Sequence, residues 1–321
     1  FVARASGRRP WMIAPVLVML AWGTIFQLGF LNFYLSTGIS LWLMWTLWDL
    51  TRTRIAAAVV LAALALLAHA LPFAGAFFAI AYIHAHRKID SRLHVALLVA
   101  GVLILALAAG LAAARYQVHW SWDQVLFEDG LLSALGAGQV WPYGSKYALV
   151  AGATVVLWFL LLLRRVDRGG ALADPLIHLW ILSVAAVALF PTSVQIPGYG
   201  LPLEFIPVRL SLFVSVLLCG AVSSARGSLA LLRGAVVIAV AYFVCLYLDT
   251  KEFSRVEENV TSLVSKLPPG QRVVATMKDR QTRFNPLAHV ASAACIERCF
   301  DYGNYEAPSG MFRLQIGRAH V

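Results

Sequence analysis

The chain has 321 residues, of which 60% are hydrophobic and only 13% are charged, and its formal net charge is +10. A typical soluble domain is about 45–50% apolar and about one quarter charged, so this composition indicates a protein whose main solvent is lipid. The basic residues stand in short clusters between apolar runs, as in membrane proteins with positively charged cytoplasmic loops. The charge therefore does not indicate nucleic-acid binding, and membrane lipid is the expected partner.

Apolar runs follow one another along the first 248 residues. A helix that crosses a bilayer needs roughly 20 apolar residues, and fewer where the bilayer is thin. The runs are Trp11–Phe26, Gly29–Trp48, Ile55–His69, Phe73–His84, Leu93–Ala114, Tyr147–Leu163, Pro175–Phe190, Ile206–Val222 and Leu229–Leu248. They predict an all-α polytopic membrane protein with about nine transmembrane helices in residues 1–248.

The third and fourth runs are short, and they could form either a hairpin or one helix kinked at Pro72. The basic clusters begin at Arg8, Arg52, Arg87, Arg164 and Arg226. A hairpin places all of them on one side of the membrane, whereas a single crossing sets the first two against the others. The positive-inside rule favours the hairpin, with its outer turn at His69. The loops Arg115–Lys146 and Thr192–Phe205 are then extracytoplasmic as well.

The character of the chain changes after Asp249. Apolar residues from Phe253 to Leu267 recur at helical spacing among charges, which predicts an amphipathic helix that ends at Pro268. The next predicted elements are a strand at Arg272–Thr276, a helix at Pro286–Cys299 and a strand at Met311–Leu314. Residues 249–315 are therefore interpreted as a small extracytoplasmic α/β segment that follows the membrane domain.

Cys295 and Cys299 lie four residues apart on that predicted helix, where the geometry is unfavourable for a disulfide, so they are interpreted as packing residues. No second ligand pair at metal-binding spacing accompanies them. No metal site is predicted and no cofactor is identified, although the sequence leaves a divalent metal open. The last six residues, 316–321, match a translated sequencing adapter, and the chain does not begin with Met. We expect residues 316–321 to be an artefact and the chain to be a fragment.

No motif of a soluble enzyme appears, so polar residues near the outer ends of the spans become the candidates. Arg209 is the first of them, because the positive-inside rule disfavours an arginine at the outer end of the eighth run. Its guanidinium group suits a phosphate or a carboxylate. An ion pair with Glu204, or extension of the side chain to the interface, would also explain it.

Five further residues are predicted near the same outer edge. His69 is a candidate to bind a sugar or a phosphate or to carry a proton, unless the neighbouring backbone satisfies it. Asn32 is a candidate for binding or for an interhelical hydrogen bond. Arg115 and Lys146 flank the outer loop, where with His119 they would neutralise an anionic head group or simply anchor the helices. The predicted substrate-binding set is therefore Arg209, His69, Glu204, Lys146, Arg115 and Asn32.

A family resemblance joins several of these residues. The segment Gly29–Gly38, which contains Asn32, resembles a glycine- and asparagine-containing segment of bacterial polytopic glycosyltransferases of the GT-C class. The short hairpin with His69 before Pro72, Arg209 in a late span, and the tail that starts at Leu267 are similar too. The resemblance implies an enzyme of the bacterial inner membrane that takes a sugar from a polyprenyl-phosphate carrier and passes it to a cell-envelope acceptor.

The same resemblance implies particular roles for residues. Arg209 would contact the lipid phosphate, with His69 as a second pocket residue. The catalytic carboxylate of such proteins lies in the first outer loop, which should precede Phe1, so the catalytic residues of this chain are unknown. Asp123, Glu128 and Asp129 in the outer loop are the alternative source of a carboxylate.

Two other classes of function remain open. A transporter or flippase of an anionic or lipid-linked substrate predicts broken helices near the midplane and an inverted repeat. No internal repeat is visible in the sequence, and the polar residues cluster at one face, which disfavours transport. A non-catalytic membrane assembly subunit is the third possibility.

Overall fold

Most of the chain is helical in the computed structural model, which describes residues 1–6, 11, 13–49, 51–120, 130–166, 173–198, 202–223, 228–274, 285–287, 289–301, 305–306 and 311–312. The helices are α1 (Val2–Ser6), α2 (Ala14–Ala21), α3 (Thr24–Gln27), α4 (Leu31–Thr46), α5 (Ile55–Ala68), α6 (Ala70–Lys88), α7 (His94–Arg115), α8 (Gly130–Ala134), α9 (Lys146–Val166), α10 (Pro175–Leu189), α11 (Ile206–Ser223), α12 (Leu229–Ser265) and α13 (Val290–Ala294). Short 3-10 turns lie at Arg52–Arg54, Ser91–Leu93 and Ala137–Val140. The strands are β1 (Gln117–His119), β2 (Ser193–Gln195), β3 (Arg272–Val273), β4 (Phe300–Asp301), β5 (Tyr305–Glu306) and β6 (Met311–Phe312).

Four helical segments are long and apolar enough to cross a membrane. They are Ser91–Arg115, Lys146–Arg165, Ile206–Ser223 and Leu229–Ser265. Two shorter apolar helical stretches, Ala14–Gln27 and Pro175–Leu189, accompany them. These lengths and compositions agree with a helical membrane protein, whereas the number of spans stays a prediction.

Helix α11 lies at the centre of the molecule. Every residue from Ile206 to Ser223 is buried except Leu210. Its closest neighbours are α10, α1 and α8, with α9 and α2 also packed against it. The first turn of α11, which carries Arg209, is therefore surrounded by protein rather than by lipid alone.

The segments α5 and α6 form the expected hairpin. His69 interrupts the helix with an extended backbone (φ −169°, ψ 127°). Arg54, just before α5, stacks on Trp45, and Arg87, near the end of α6, stacks on Trp48. Because both aromatic rings lie at the C-terminal end of α4, the far ends of α5 and α6 are on the same side. The two helices therefore fold back on each other, as predicted, rather than forming a single kinked helix, whereas two membrane crossings by this hairpin stay a prediction.

Contacts between helix ends define two opposite ends of the molecule. We call one the basic end, where Arg4 and Arg87 pair with Asp49, and Arg165 pairs with Asp174. We call the other the Arg209 end, where β1 pairs antiparallel with β2 and Val194 bridges to Leu203. The described parts of the three predicted outer segments, at His69, Arg115–Lys146 and Thr192–Phe205, gather at the Arg209 end.

The segment after residue 248 differs in part from its prediction. Helix α12 runs without a break for 37 residues, through the predicted domain boundary at 248/249 and over the predicted amphipathic helix. The predicted helix Pro286–Cys299 is wrong in extent, because the only described helix there is α13. The chain turns after Ala294, and Cys295 and Cys299 form a disulfide with their Cα atoms 4.6 Å apart. The packing interpretation of these cysteines is therefore wrong, because it assumed a continuous helix.

Candidate functional site

Arg209 is held near the start of the central helix. Its backbone N–H donates to the carbonyl oxygen of Phe205 at 2.9 Å, and Phe205 has a positive φ of 58° where the chain turns into α11. Only 8% of the Arg209 surface is exposed. An arginine in this position is costly unless something compensates its charge, because a buried charge without a partner loses its hydration.

Aromatic rings, rather than carboxylates, surround the guanidinium group of Arg209. Its central carbon lies 4.0 Å from the ring centroid of Phe30 and 5.9 Å from that of Phe33. None of the ion pairs formed between described residues includes Arg209 or the exposed Glu204, although Glu204 acts on Arg209 electrostatically. The rings stabilise the cation in part, but they accept no hydrogen bond, and Nε of Arg209 has no acceptor among the described residues.

His69 lies against this arginine, 140 residues away in sequence. Its Nε2 atom is 3.2 Å from Nη1 of Arg209, and its ring meets that of Phe33 edge to face with centroids 5.3 Å apart. The hydroxyl oxygen of Ser36 lies 2.8 Å and 2.9 Å from the carbonyl oxygens of Ala65 and His69, so α4 holds the turn in place. The two sequence candidates predicted to matter most are thus in contact.

The protonation state of His69 determines whether its Nε2 atom donates a hydrogen bond or accepts one from Arg209. Nδ1 of His69 accepts a hydrogen bond from the backbone N–H of Leu71 at 3.2 Å and so caps α6. A neutral imidazole that accepts at Nδ1 carries its proton on Nε2. With the cap in place, Nε2–H of His69 and the guanidinium of Arg209 are two donors that face each other.

An acceptor from outside the described chain would satisfy these donors. Nε of Arg209 is also buried and has no hydrogen-bond partner among the described residues. A phosphate or carboxylate oxygen placed beside Arg209 and His69 would accept from both. The arrangement is therefore that of an anion-binding site, which we call the Arg209–His69 site.

His69 lies between the two helices of the hairpin, and its environment keeps it uncharged. Burial lowers its pKa below the ordinary value, and the positive charge of Arg209 lowers the pKa further. At neutral pH the imidazole is therefore neutral, as its role as a cap acceptor requires. The site offers one permanent positive charge and one neutral donor.

An apolar cavity of about 250 Å³ begins beside this site. Leu71 and Leu210, which lie close in sequence to His69 and Arg209, line one part of it. Phe78 and Leu217, about two turns further along α6 and α11, line another part. Side chains of α7 and α10 close the other walls, so the space accepts an apolar chain rather than a polar one.

Lys146 is not a free partner for an anion, contrary to its predicted role. Its Nζ atom pairs with Asp249, and the hydroxyl of Tyr147 donates to the other oxygen of the same carboxylate at 2.7 Å. Asp249 itself is buried. This cluster ties α9 to α12, and its carboxylate already neutralises the lysine.

The remaining predicted residues are not brought to the site. Arg115 is exposed at the end of α7, and His119 is exposed in β1. Asn32 is exposed, and its side-chain oxygen accepts from the N–H of Phe33. No described hydrogen bond joins Asn32 or Arg115 to Arg209 or His69. Asp123, Glu128 and Asp129 lie outside the described residues.

Sequence reasoning missed the aromatic walls of the site. Phe30 and Phe33 flank Asn32 in the segment Gly29–Gly38, so the segment carried the signal, but the amide was chosen in place of the rings. A cluster of three histidines at the basic end was missed as well, because its members come from three separate helices. Among the described residues, no group of His, Cys, Asp or Glu could hold a metal ion.

Comparisons of the chain with protein-family models, with curated proteins and with solved structures found no match. The likeness to GT-C glycosyltransferases therefore stays a prediction from short segments of sequence. Any assignment of function depends on the geometry of the site.

Proposed function

We propose that this chain belongs to a bacterial inner-membrane glycosyltransferase, which uses a sugar carried on a polyprenyl phosphate and an acceptor in the cell envelope. The chain crosses the membrane about nine times in this proposal, with the basic end in the cytoplasm and the Arg209 end outside. The segment after α12 is then extracytoplasmic.

One observation carries the proposal: at the Arg209 end, the buried guanidinium of Arg209 and the half-buried ring of His69 lie side by side, and Nε of Arg209 has no acceptor among the described residues. A phosphate head group would supply that acceptor, and Arg recognises phosphate through two parallel hydrogen bonds. The apolar cavity that begins at Leu71 and Leu210 supports a lipid as the source of the phosphate. The resemblance around Gly29–Gly38 supports the same class.

In this proposal, the site stabilises the phosphate that departs when the sugar is transferred. Donors fixed where negative charge develops lower the barrier, because they need no reorganisation during the reaction. Activation of the acceptor requires a carboxylate, which the resemblance assigns to sequence before Phe1.

The product of the complete gene tests the reaction. Membranes that contain it should transfer labelled sugar from a polyprenyl-phosphate donor to an envelope fraction, and the Arg209→Ala variant should lose most of this transfer. The exposed Arg115→Ala variant is the matched control and should keep it. Absence of transfer from every polyprenyl-phosphate sugar tried would refute the enzymatic proposal, even if lipid binding were retained.

The disulfide gives an independent test of orientation, because disulfides persist in the bacterial periplasm and are rare in the cytosol. In a variant with Cys219 and Cys245 replaced by alanine, a membrane-impermeant maleimide added to intact cells should label Cys295 and Cys299 only after the disulfide is reduced. A Ser91→Cys variant without that pair, with the thiol at the basic end, should react only after permeabilisation. Free thiols at 295 and 299, or labelling that needs permeabilised cells, would contradict the proposed topology.

A further inference from the structure

Three histidines from three helices meet at the basic end. His86 is near the end of α6, His94 begins α7, and His178 lies in α10. The rings of His86 and His94 are stacked with centroids 3.7 Å apart, and His178 stands edge-on to His86 at 5.1 Å. The hydroxyl oxygen of Tyr82 lies 2.6 Å from Nδ1 of His178. We call this group the histidine cluster.

Two of the three histidines are buried, and the histidine cluster offers few partners for a positive charge. His86 is 4% exposed and His178 is fully buried. Nε2 of His86 and Nδ1 of His94 are buried without a hydrogen-bond partner in the described chain. Neither His86 nor His94 forms an ion pair with a described carboxylate. A proton added to the ring of His86 would therefore gain little local stabilisation.

The charged groups around the cluster do not change this conclusion. Asp174 and Arg87 both act on His86 electrostatically, with opposite signs. Asp174 already accepts from Arg165 at 2.8 Å and from the N–H of Leu176 at 2.9 Å. Its carboxylate is thus occupied, while the positive charge of Arg87 adds to any charge on the imidazoles.

Close packing beside the cluster limits how the helices would move if the imidazoles became charged. A Cβ atom on Gly101 of α7 would lie 2.8 Å from a methyl carbon of Leu182 and 3.4 Å from the ring of Tyr82. The helices therefore approach closely one to two turns from the histidines. Repulsion among the imidazoles would separate the helix ends at the cluster and leave this contact in place.

We infer that the histidine cluster is a proton-sensitive latch, which holds the ends of α6, α7 and α10 together while its imidazoles are neutral and releases them when the rings are protonated. The direction of the pH dependence follows from the difference in proton binding between the open and closed states. An open state lets His86 reach water and bind a proton at the ordinary value near 6.5, whereas the closed state disfavours that proton because the ring is buried and its Nε2 has no partner among the described residues. The closed state is therefore stable above about pH 6.5 and loses stability as the pH falls below it.

A buried cysteine reports on the latch. Ile83 lies about one turn before His86 and is 2% exposed, so Ile83→Cys is made in a chain with Cys219 and Cys245 replaced by alanine. Its labelling rate with a water-soluble maleimide is divided by that of Ser91→Cys, an exposed thiol at the same end, to remove the effect of pH on thiol reactivity. The purified chain in detergent is measured from about pH 7.5 to about pH 5.5.

The ratio is expected to rise as the pH falls, by up to about tenfold per pH unit for each ring that must stay neutral. The double variant His86→Gln, His94→Gln should remove most of this rise. His84→Gln is the matched control, because His84 lies on the same helix but contacts the carbonyl oxygen of Leu47, and it should respond like the parent chain.

A flat ratio in the parent chain would overturn the inference, as would an equal rise in the double variant. If the double variant does not give a monodisperse preparation, His94→Gln alone is used, because His94 is only partly buried. That variant should reduce the dependence on pH, and an unchanged dependence would count against the latch. None of these results depends on the proposed sugar transfer.

Discussion

Replacing Arg209 with alanine is expected to weaken the binding of a polyprenyl phosphate to the purified chain by about 30-fold to several thousand-fold. This range corresponds to roughly 2–5 kcal/mol, the usual cost of removing one member of a buried, hydrogen-bonded charge pair. The loss should be large because the lipid phosphate would be the acceptor that Nε of Arg209 lacks among the described residues. Native mass spectrometry or a fluorescent lipid competitor measures the change.

The thermal stability of the Arg209→Ala variant distinguishes a binding site from a structural ion pair. Arg209 is buried without a carboxylate partner among the described residues, so its removal should leave the thermal midpoint unchanged or raise it. Arg209→Lys keeps the charge but loses the bidentate geometry. Its affinity for the lipid phosphate should lie between those of the parent chain and of Arg209→Ala. Arg115→Ala should bind normally.

Two outcomes would contradict this role of Arg209. If Arg209→Ala unfolds the chain, the guanidinium is mainly a structural element. If inorganic phosphate competes as well as the lipid phosphate does, the apolar cavity adds nothing to recognition, and the site is a general anion site. A polyprenyl alcohol without phosphate provides the complementary control, and it should bind poorly.

Gly136→Ala is expected to be the most destabilising small substitution in the described core. Gly136 has a φ of +73°, and a Cβ atom there would lie 2.6 Å from the hydroxyl oxygen and 3.0 Å from the Cα of Ser215 in α11. Ser215 also donates to the carbonyl oxygen of Gly136 at 2.8 Å, so the two segments cannot easily separate. Backbone strain and overpacking together should cost about 2–5 kcal/mol.

Gly29→Ala is the matched control for this substitution. Gly29 has the same φ of +73°, but a Cβ atom added there would have no neighbour within 4 Å. The free energy of unfolding of this variant should therefore fall only by the cost of the left-handed backbone, about 1–2 kcal/mol. Unfolding of both variants in mixed micelles gives the comparison, and equal losses would show that strain, not the contact with Ser215, dominates at Gly136.

The helical membrane character of the chain and the hairpin at His69 could both be predicted from the amino-acid sequence. In lipid, an apolar run must satisfy its backbone hydrogen bonds internally, so it forms a helix. The distribution of arginines decided between a hairpin and a kinked helix. The sequence also singled out Arg209, because a cation near the outer end of an apolar run breaks the expected charge pattern. These signals are local, or they sum over loops, so they can be read without coordinates.

Which candidate residues meet could be learned only from the packing of the helices. Contacts of Arg209 with His69 and Phe30, and of Lys146 with Asp249, join residues far apart in sequence. Their distances depend on helix packing, which periodicity does not specify. The end of α13 before Cys295 was missed for a related reason: the local pattern allowed a longer helix, and the disulfide is a contact that the pattern did not reveal. The tautomer of His69 shows the same limit, because it follows from the amide that the ring caps and the arginine that faces it.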